Sequence, residues 1–237
     1  MPTTSFSVSV SVSVSPAPLR HPPQHLNPVI QGDLWLEWIA REGLTALALP
    51  PEAGGQGGTL AELGRAARAL ARHSPGAARV LWAQRLCIEQ LHVARNRAVA
   101  EHLLPDLIAG HRAGACLLPG APEPVPLAAR RLDRGWRLHG RLGLTVNLQW
   151  AGFVLVAPAC FEGGRCARVL LSGDDDGLRR GPDQAGADWH GLRAAELSAE
   201  ALFFRGDEVL DIADEPDAVS FEAHLAEVDR VLRAALA

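Results

Sequence analysis

The chain of 237 residues contains no lysine, and no apolar run approaches the roughly 20 residues that a membrane helix needs. Its basic side chains are therefore all arginines, and the formal net charge is −4. No group of arginines forms a stripe with interleaved aromatic residues, which is the usual pattern of a nucleic-acid-binding surface. We expect a soluble protein that neither enters a membrane nor binds nucleic acid.

The four cysteines form neither a C-x-x-C pair nor the spacing of a zinc site, and nothing in the sequence indicates secretion. We therefore expect reduced thiols in a cytoplasmic protein. The cysteines are Cys87, Cys116, Cys160 and Cys166.

The first 32 residues alternate serine with valine and then become rich in proline and histidine. They contain no basic segment followed by a continuous apolar one, so they do not form a secretory signal. We interpret residues 1–32 as a disordered leader.

Residues 33–112 have the pattern of a helical domain. Trp35, Trp38 and Ile39 lie on one side of a short helix, and Thr59 with Glu62 has the spacing of a capping box at the start of another. Two more helices are predicted after the caps Ser74, followed by Pro75, and Asn96.

Residues 113–215 change to a period of two, which is typical of half-buried strands. Segments 127–132, 136–142, 153–157 and 167–171 predict an antiparallel sheet or small barrel. The fold class is therefore α+β, with a helical domain before a β domain.

Residues 216–237 predict one more helix, capped by Ser220. Its apolar face needs a partner to cover it, and the face consists of Phe221, Leu225, Val228, Leu232 and Leu236. No glycine or proline follows the pattern, so we expect either a frayed end or the first turns of a further helical bundle.

Three sequence features resemble functional sites but favour structural roles. The glycines of segment 54–58 have neither the G-x-G-x-x-G spacing nor that of a Walker loop, so they predict a turn rather than a phosphate site. The three acids of 174–176, followed by Gly177, predict a solvated turn rather than a cation site. No G-x-S-x-G or H-E-x-x-H pattern is present, and His92 and His102 lie on predicted helices, where structural roles are commoner.

Three phrases occur in an order that resembles the acyl-CoA dehydrogenase family. They are G-L-T-A-L-A-L-P-P-E-A-G-G-Q-G-G at 43–58, L-L-P-D-L-I-A-G-H-R-A-G-A-C-L-L-P-G-A at 103–121 and G-W-R-L-H-G-R-L-G-L-T-V-N at 135–147. Gly191, Leu192 and Arg193, with segment 203–209, resemble the end of the family's β domain. The resemblance covers about residues 33–236 and implies FAD, an acyl-CoA or acyl-thioester substrate, and an oligomer.

The resemblance also points to a cofactor site, where the sequence departs from the family. The family's T-E-P-G-A-G-S-D phrase is Leu117 to Pro124 here, and its W-I-T-N phrase is Leu144 to Asn147, so hydroxyl and aromatic groups are replaced. By resemblance, Pro119, Gly120 and Asn147 would contact flavin, and the residues lining it would be Leu117, Leu144, Thr145 and Val146.

Two functions follow from the resemblance. The first is FAD-dependent α,β-dehydrogenation of an acyl thioester, incomplete or weak in this chain alone because no catalytic base can be named. The second is a non-catalytic subunit that binds an acyl carrier, a thioester or a complete homologue through the last helix and an open sheet edge. A homo- or hetero-oligomer would then supply the missing helical bundle.

Overall fold

The computed structural model describes residues 28–118, 125–149, 152–212 and 218–236. The predicted site residues Pro119 and Gly120 and residues 1–27 of the predicted leader lie outside these ranges. The helices are α1 (Pro28–Arg41), α2 (Leu60–His73), α3 (Pro75–His92), α4 (Arg97–Ala109) and α5 (Ala218–Arg233). Helix α1 thus begins within the predicted leader, where Pro28 occupies a first-turn position that proline tolerates.

The caps that the sequence predicts at Thr59, Ser74 and Asn96 are present. The Thr59 backbone N–H donates to Glu62 Oε2 at 2.7 Å, and the Glu62 N–H donates to Thr59 Oγ1 at 3.2 Å. Ser74 Oγ accepts from the Ala77 N–H at 3.3 Å, with Pro75 in the first helical position. Asn96 Oδ1 caps α4 in the same way through the Val99 N–H at 3.4 Å. These bonds satisfy donors that a helix start otherwise leaves unpaired.

The β domain is one sheet of eight strands among the described residues, and the predicted α+β class is confirmed. The strands are β1 (Ala113–Leu117), β2 (Leu127–Leu132), β3 (Gly135–Val146), β4 (Phe153–Phe161), β5 (Cys166–Ser172), β6 (Leu178–Arg180), β7 (Ala195–Phe204) and β8 (Val209–Ile212). Their order is β6-β7-β3-β1-β4-β5-β8, and β2 pairs with both β3 and β4.

The sheet is mixed rather than wholly antiparallel. Strands β1 and β2 occupy the same place between β3 and β4, one at each end, and both run parallel to β4. The other pairs are antiparallel, including the hairpin β2–β3 whose turn at 133–134 the sequence predicts. This arrangement puts the end of β1 beside the end of β3, facing helix α3.

The glycine segment 54–58 forms a turn closed by its own backbone. Gly57 N–H donates to the Leu49 carbonyl at 2.7 Å, and Gly55 N–H donates to the Pro50 carbonyl at 3.1 Å. A Cβ atom at Gly55 would lie 2.1 Å from the Leu49 carbonyl oxygen, so only glycine fits there. The amides are used within the loop, as expected for a structural turn.

Helix α5 finds its apolar partner inside the chain. Val228 and Leu232 are buried, and α5 packs on α2 and α3. The packing is close, because a Cβ at Gly64 of α2 would come within 2.8 Å of Val231 Cγ1. The helix begins at Ala218, so the prediction of Ser220 as its cap is wrong. Val228 and Leu232 are thus covered within the chain, and binding of another protein through the rest of this face stays a prediction.

Two of the cysteines are joined by a disulfide, which corrects the prediction of four reduced thiols. Cys160 and Cys166 face each other across the β4–β5 pair and are bonded, whereas Cys87 and Cys116 are free. A spacing of six residues does not identify such a pair until the strand register is known.

The acidic segment 174–176 lies in a turn, where Asp175 Oδ2 accepts from the Ser172 N–H at 2.7 Å. Within the described residues, no group of three or more histidine, cysteine, aspartate or glutamate side chains is placed to hold a metal ion. No helix in the described ranges is long and apolar enough to cross a bilayer.

Candidate functional site

A cavity of about 380 Å³ lies between helix α3, the adjoining ends of β1 and β3, and the last turns of α5. We call it the tryptophan cavity, because an indole from α3 and one from the short turn Ala187–Trp189 line it. Its lining residues are Arg79, Trp82, Leu118, Val146, Asp188, Trp189, Leu192, Arg233 and Leu236. The lining is mainly apolar, and its volume falls within the roughly 300–1,000 Å³ of small-molecule sites.

One carboxylate ties the helical walls of the cavity together. Asp229 Oδ1 on α5 accepts from Trp82 Nε1 on α3 at 2.8 Å and from Arg233 Nε at 2.7 Å. The Arg233 guanidinium also lies 5.6 Å from the Trp82 ring centroid, a cation–π distance. Asp229 and Arg233 therefore fix the Trp82 ring and hold α5 against α3.

The strand register brings most of the predicted site residues together. Leu117 pairs with Thr145 across β1 and β3, and the Leu118 N–H donates to the Leu144 carbonyl at 2.9 Å. Of the predicted residues, Val146 lines the cavity. Leu118, which follows the predicted residue Leu117, lines it as well. Leu117, Leu144 and Thr145 lie beside it without lining it.

Asn147, predicted to contact flavin, is fully buried and its side chain is engaged within the chain. Its Nδ2 donates to Gln84 Oε1 at 3.1 Å and to the Gly114 carbonyl at 3.0 Å, and its Oδ1 accepts from Gln149 Nε2 at 2.8 Å. Its φ of 64° lies in the left-handed region, which asparagine tolerates. Asn147 therefore joins α3, β1 and the end of β3.

The described residues fit the flavin implied by the resemblance poorly. The polar edge of a flavin ring needs hydrogen-bonding groups, but the side chains of Leu118, Val146 and Leu192, on the wall beside the predicted site residues, supply only hydrocarbon. The polar side chains of the cavity come from elsewhere, namely Arg79, Asp188 and Arg233. Thr145 is buried and its Oγ1 donates to the Gly143 carbonyl at 3.2 Å. The wall formed by Leu118, Val146 and Leu192 suits an apolar group better than a polar heterocycle.

Cys116 and Asp229 are ionisable groups that lie beside the cavity. Burial raises the pKa of Cys116 to about 12, and the Asp229 carboxylate adds to this against the opposing effect of Arg233. A thiol with that pKa is not a nucleophile near neutrality. Asp229 Oδ1 accepts from both Trp82 and Arg233, so this carboxylate holds α5 against α3.

A second polar group lies on α3 away from the cavity. Arg85 and Glu89 form a buried ion pair, in which Arg85 Nη1 also donates to the Thr45 carbonyl at 2.8 Å and Glu89 Oε2 lies 3.0 Å from His224 Nε2. His92 is half-buried nearby, and desolvation lowers its pKa, although the Glu89 carboxylate acts in the opposite direction. His102 is exposed on α4. Neither His92 nor His102 lines the tryptophan cavity.

The polar and tryptophan side chains of this site were not predicted from the sequence; they are Arg79, Trp82, Asp188, Trp189, Asp229 and Arg233. The spacing of Asp229 and Arg233, four residues apart on a predicted helix, is a detectable signal for an ion pair. The Trp82–Asp229 bond joins residues 147 positions apart, which no local pattern indicates.

Comparison with known families matches residues 25–111 to the acyl-CoA dehydrogenase N-terminal domain. Comparison with curated protein sequences gives no match. The sequence similarity is therefore strongest over the helical domain.

Solved structures extend the likeness to both domains. Butyryl-CoA dehydrogenase from Megasphaera elsdenii has a TM-score of 0.70 and 21% identity, over 86% of this chain and 56% of that one. Acyl-CoA dehydrogenase complexed with FAD from Bacillus anthracis has a TM-score of 0.73 and 17% identity, over 87% of this chain and 36% of that one. A probable acyl-CoA dehydrogenase from Mycobacterium abscessus gives 0.72 and 18%, over 86% and 56%.

The chain thus spans about half the length of two of these structures and about a third of the other. The resemblance to the acyl-CoA dehydrogenase family is confirmed for the N-terminal helical domain by sequence and for the helical and β domains by fold.

Proposed function

We propose that this chain is an acyl-CoA dehydrogenase-like binding subunit, which holds the acyl group of an acyl thioester in the tryptophan cavity. We further propose that FAD-dependent dehydrogenation requires another protein component, contributed by a homo- or hetero-oligomer. The observation that supports this is the hydrocarbon wall of Leu118, Val146 and Leu192, at the place where the resemblance leads us to expect polar contacts to flavin.

An acyl chain matches that wall because it needs no hydrogen bonds. Each methylene removed from water contributes about 0.8 kcal/mol, so a medium-length chain gains several kcal/mol of free energy. The indoles of Trp82 and Trp189 offer flat apolar surfaces, and Asp229 holds the first of them in place. A fixed wall lowers the conformational cost of binding.

The second candidate is a flavoprotein that carries out FAD-dependent α,β-dehydrogenation of an acyl thioester. The observation that favours it is the fold, which is similar to that of an acyl-CoA dehydrogenase complexed with FAD. That reaction needs a base that lies beside the acyl group and is shielded from water. Asp188 at the cavity is exposed, and Asp229 Oδ1 accepts from Trp82 and Arg233. The binding subunit therefore accounts better for the described side chains.

The two candidates predict different ligands for the purified chain: the binding subunit binds an acyl thioester without retaining FAD, and the flavoprotein retains FAD. The chain is mixed with FAD, passed through a desalting column and examined for flavin absorbance, while equilibrium dialysis measures octanoyl-CoA binding. We expect a colourless protein that binds octanoyl-CoA. A yellow protein would support the flavoprotein instead, and failure to bind octanoyl-CoA would contradict the binding subunit.

A variant that fills the tryptophan cavity tests whether octanoyl-CoA binds there. Leu118→Trp places an indole among the lining residues, so octanoyl-CoA binding should fall at least tenfold. The matched control is Val125→Trp, because Val125 is 74% exposed and outside the cavity. Equal binding by both variants would show that the thioester binds elsewhere.

A further inference from the structure

The tryptophan cavity contains two guanidinium groups with different partners. Arg233 is neutralised by Asp229, since its Nε lies 2.7 Å from Asp229 Oδ1. Arg79 instead donates to a neutral group, the backbone carbonyl of Asp188, at 3.1 Å. Among the described residues no carboxylate forms an ion pair with Arg79.

The position of Arg79 makes this charge useful to a ligand. Arg79 is half-buried on α3, three residues before Trp82, so both side chains line the same cavity. The Asp188 carbonyl uses one of the five N–H donors of the guanidinium and orients the group. The remaining donors can form paired hydrogen bonds to a carboxylate, which a guanidinium matches in geometry.

The acidic groups nearby do not compensate this charge. Asp229 is occupied by Trp82 and Arg233, and Asp188 is exposed and presents its backbone carbonyl to Arg79. The cavity therefore combines an apolar wall with one cation that has no acidic partner among the described residues. A ligand that carries a carboxylate would give this cation a counter-charge, which a purely hydrocarbon ligand does not supply.

We propose that the acyl group held in the tryptophan cavity ends in a carboxylate, which pairs with Arg79. This inference rests on the proposed acyl-thioester binding and specifies its ligand class as the monothioester of a dicarboxylic acid. Arg79 then determines specificity, because a terminal methyl group cannot replace the charged hydrogen bonds.

Two thioesters that differ at one end test the proposal. Suberoyl-CoA and octanoyl-CoA have acyl chains of equal carbon number, and the first ends in a carboxylate where the second ends in a methyl group. Equilibrium dialysis at fixed ionic strength should show suberoyl-CoA binding about tenfold more tightly, as charge-assisted hydrogen bonds predict. Equal affinities would overturn the proposal and leave acyl-thioester binding intact, whereas binding of neither compound would overturn both.

Variants of Arg79 assign the preference to this side chain. Arg79→Gln should bring the ratio of the two affinities to about one, and Arg79→Lys should keep part of it because the charge remains. The control is Arg68→Gln, an exposed arginine on α2 outside the cavity, which should keep the full ratio. If Arg79→Gln weakened both thioesters equally, Arg79 would be pairing with a phosphate of CoA, and the proposal would be wrong.

Discussion

Replacing Asn147 with glycine removes the side chain that joins α3 to the sheet and keeps a backbone that tolerates the left-handed conformation. The Asn147 side chain makes three buried hydrogen bonds, to Gln84, Gly114 and Gln149. Gln84 Oε1 keeps a second donor, the Gly114 N–H at 2.6 Å, so its loss is small. The Gln149 amide and the Gly114 carbonyl each lose a partner, at about 1 kcal/mol or more apiece.

We therefore expect Asn147→Gly to lower the free energy of unfolding by about 2 to 3 kcal/mol. Asn147→Ala should cost roughly 1 kcal/mol more, because alanine at a φ of 64° is strained where glycine is not. Urea unfolding followed by tryptophan fluorescence gives both values, and the difference between the variants separates backbone strain from lost hydrogen bonds.

A residue whose main task is to contact a cofactor would behave differently. Its replacement would change ligand binding and leave the stability of the ligand-free chain nearly unaltered. If the free energy of unfolding of both variants lay within about 0.5 kcal/mol of the parent chain's value, the inference that Asn147 is structural would be refuted.

Three further changes test other parts of the fold. Reducing the Cys160–Cys166 disulfide should lower the free energy of unfolding by roughly 2 kcal/mol, since it closes a short loop, and urea unfolding with and without dithiothreitol measures this. Gly55→Ala should destabilise by about 2 kcal/mol or more, seen as a lower urea midpoint, because its Cβ would meet the Leu49 carbonyl oxygen at 2.1 Å. The pKa of His92 is lowered in the folded chain, so the unfolded state takes up this proton more readily and stability falls as pH falls below about 6.5. His92→Gln should therefore reduce the loss of unfolding free energy between pH 7.5 and pH 5.5, measured by urea unfolding at both pH values.

Each of these changes has a matched control. Dithiothreitol should not change the stability of a Cys160→Ala/Cys166→Ala double variant. If dithiothreitol destabilised this variant as much as the parent chain, the disulfide would not be the cause of the destabilisation. Gly206→Ala should be nearly neutral, because no atom lies within 4 Å of the added Cβ. His102→Gln, on an exposed position, should leave the pH dependence unchanged, and an equal change in both histidine variants would contradict the role of His92.

Local patterns were sufficient for most of the secondary structure. The caps at Thr59, Ser74 and Asn96 and the β2–β3 turn were predictable because each depends on residues within a few positions. The cap of α5 was misplaced at Ser220, two residues inside the helix, because serine also occurs in a first turn.

Contacts between distant segments were not predictable in this way. The Cys160–Cys166 bond depends on the register of β4 and β5, and the Trp82–Asp229 bond depends on how α5 packs. Asn147 was singled out as a polar residue in a cofactor phrase, but only the fold shows that Gln84 and Gln149 engage its side chain. Buried polar networks are hard to anticipate because their partners come from separate elements.

The most direct test of the proposed function is isothermal titration calorimetry of the purified chain with octanoyl-CoA and, separately, with FAD. Because the wall formed by Leu118, Val146 and Leu192 is apolar, we predict saturable heat with octanoyl-CoA and none with FAD. Saturable binding of FAD together with no response to octanoyl-CoA would contradict the account.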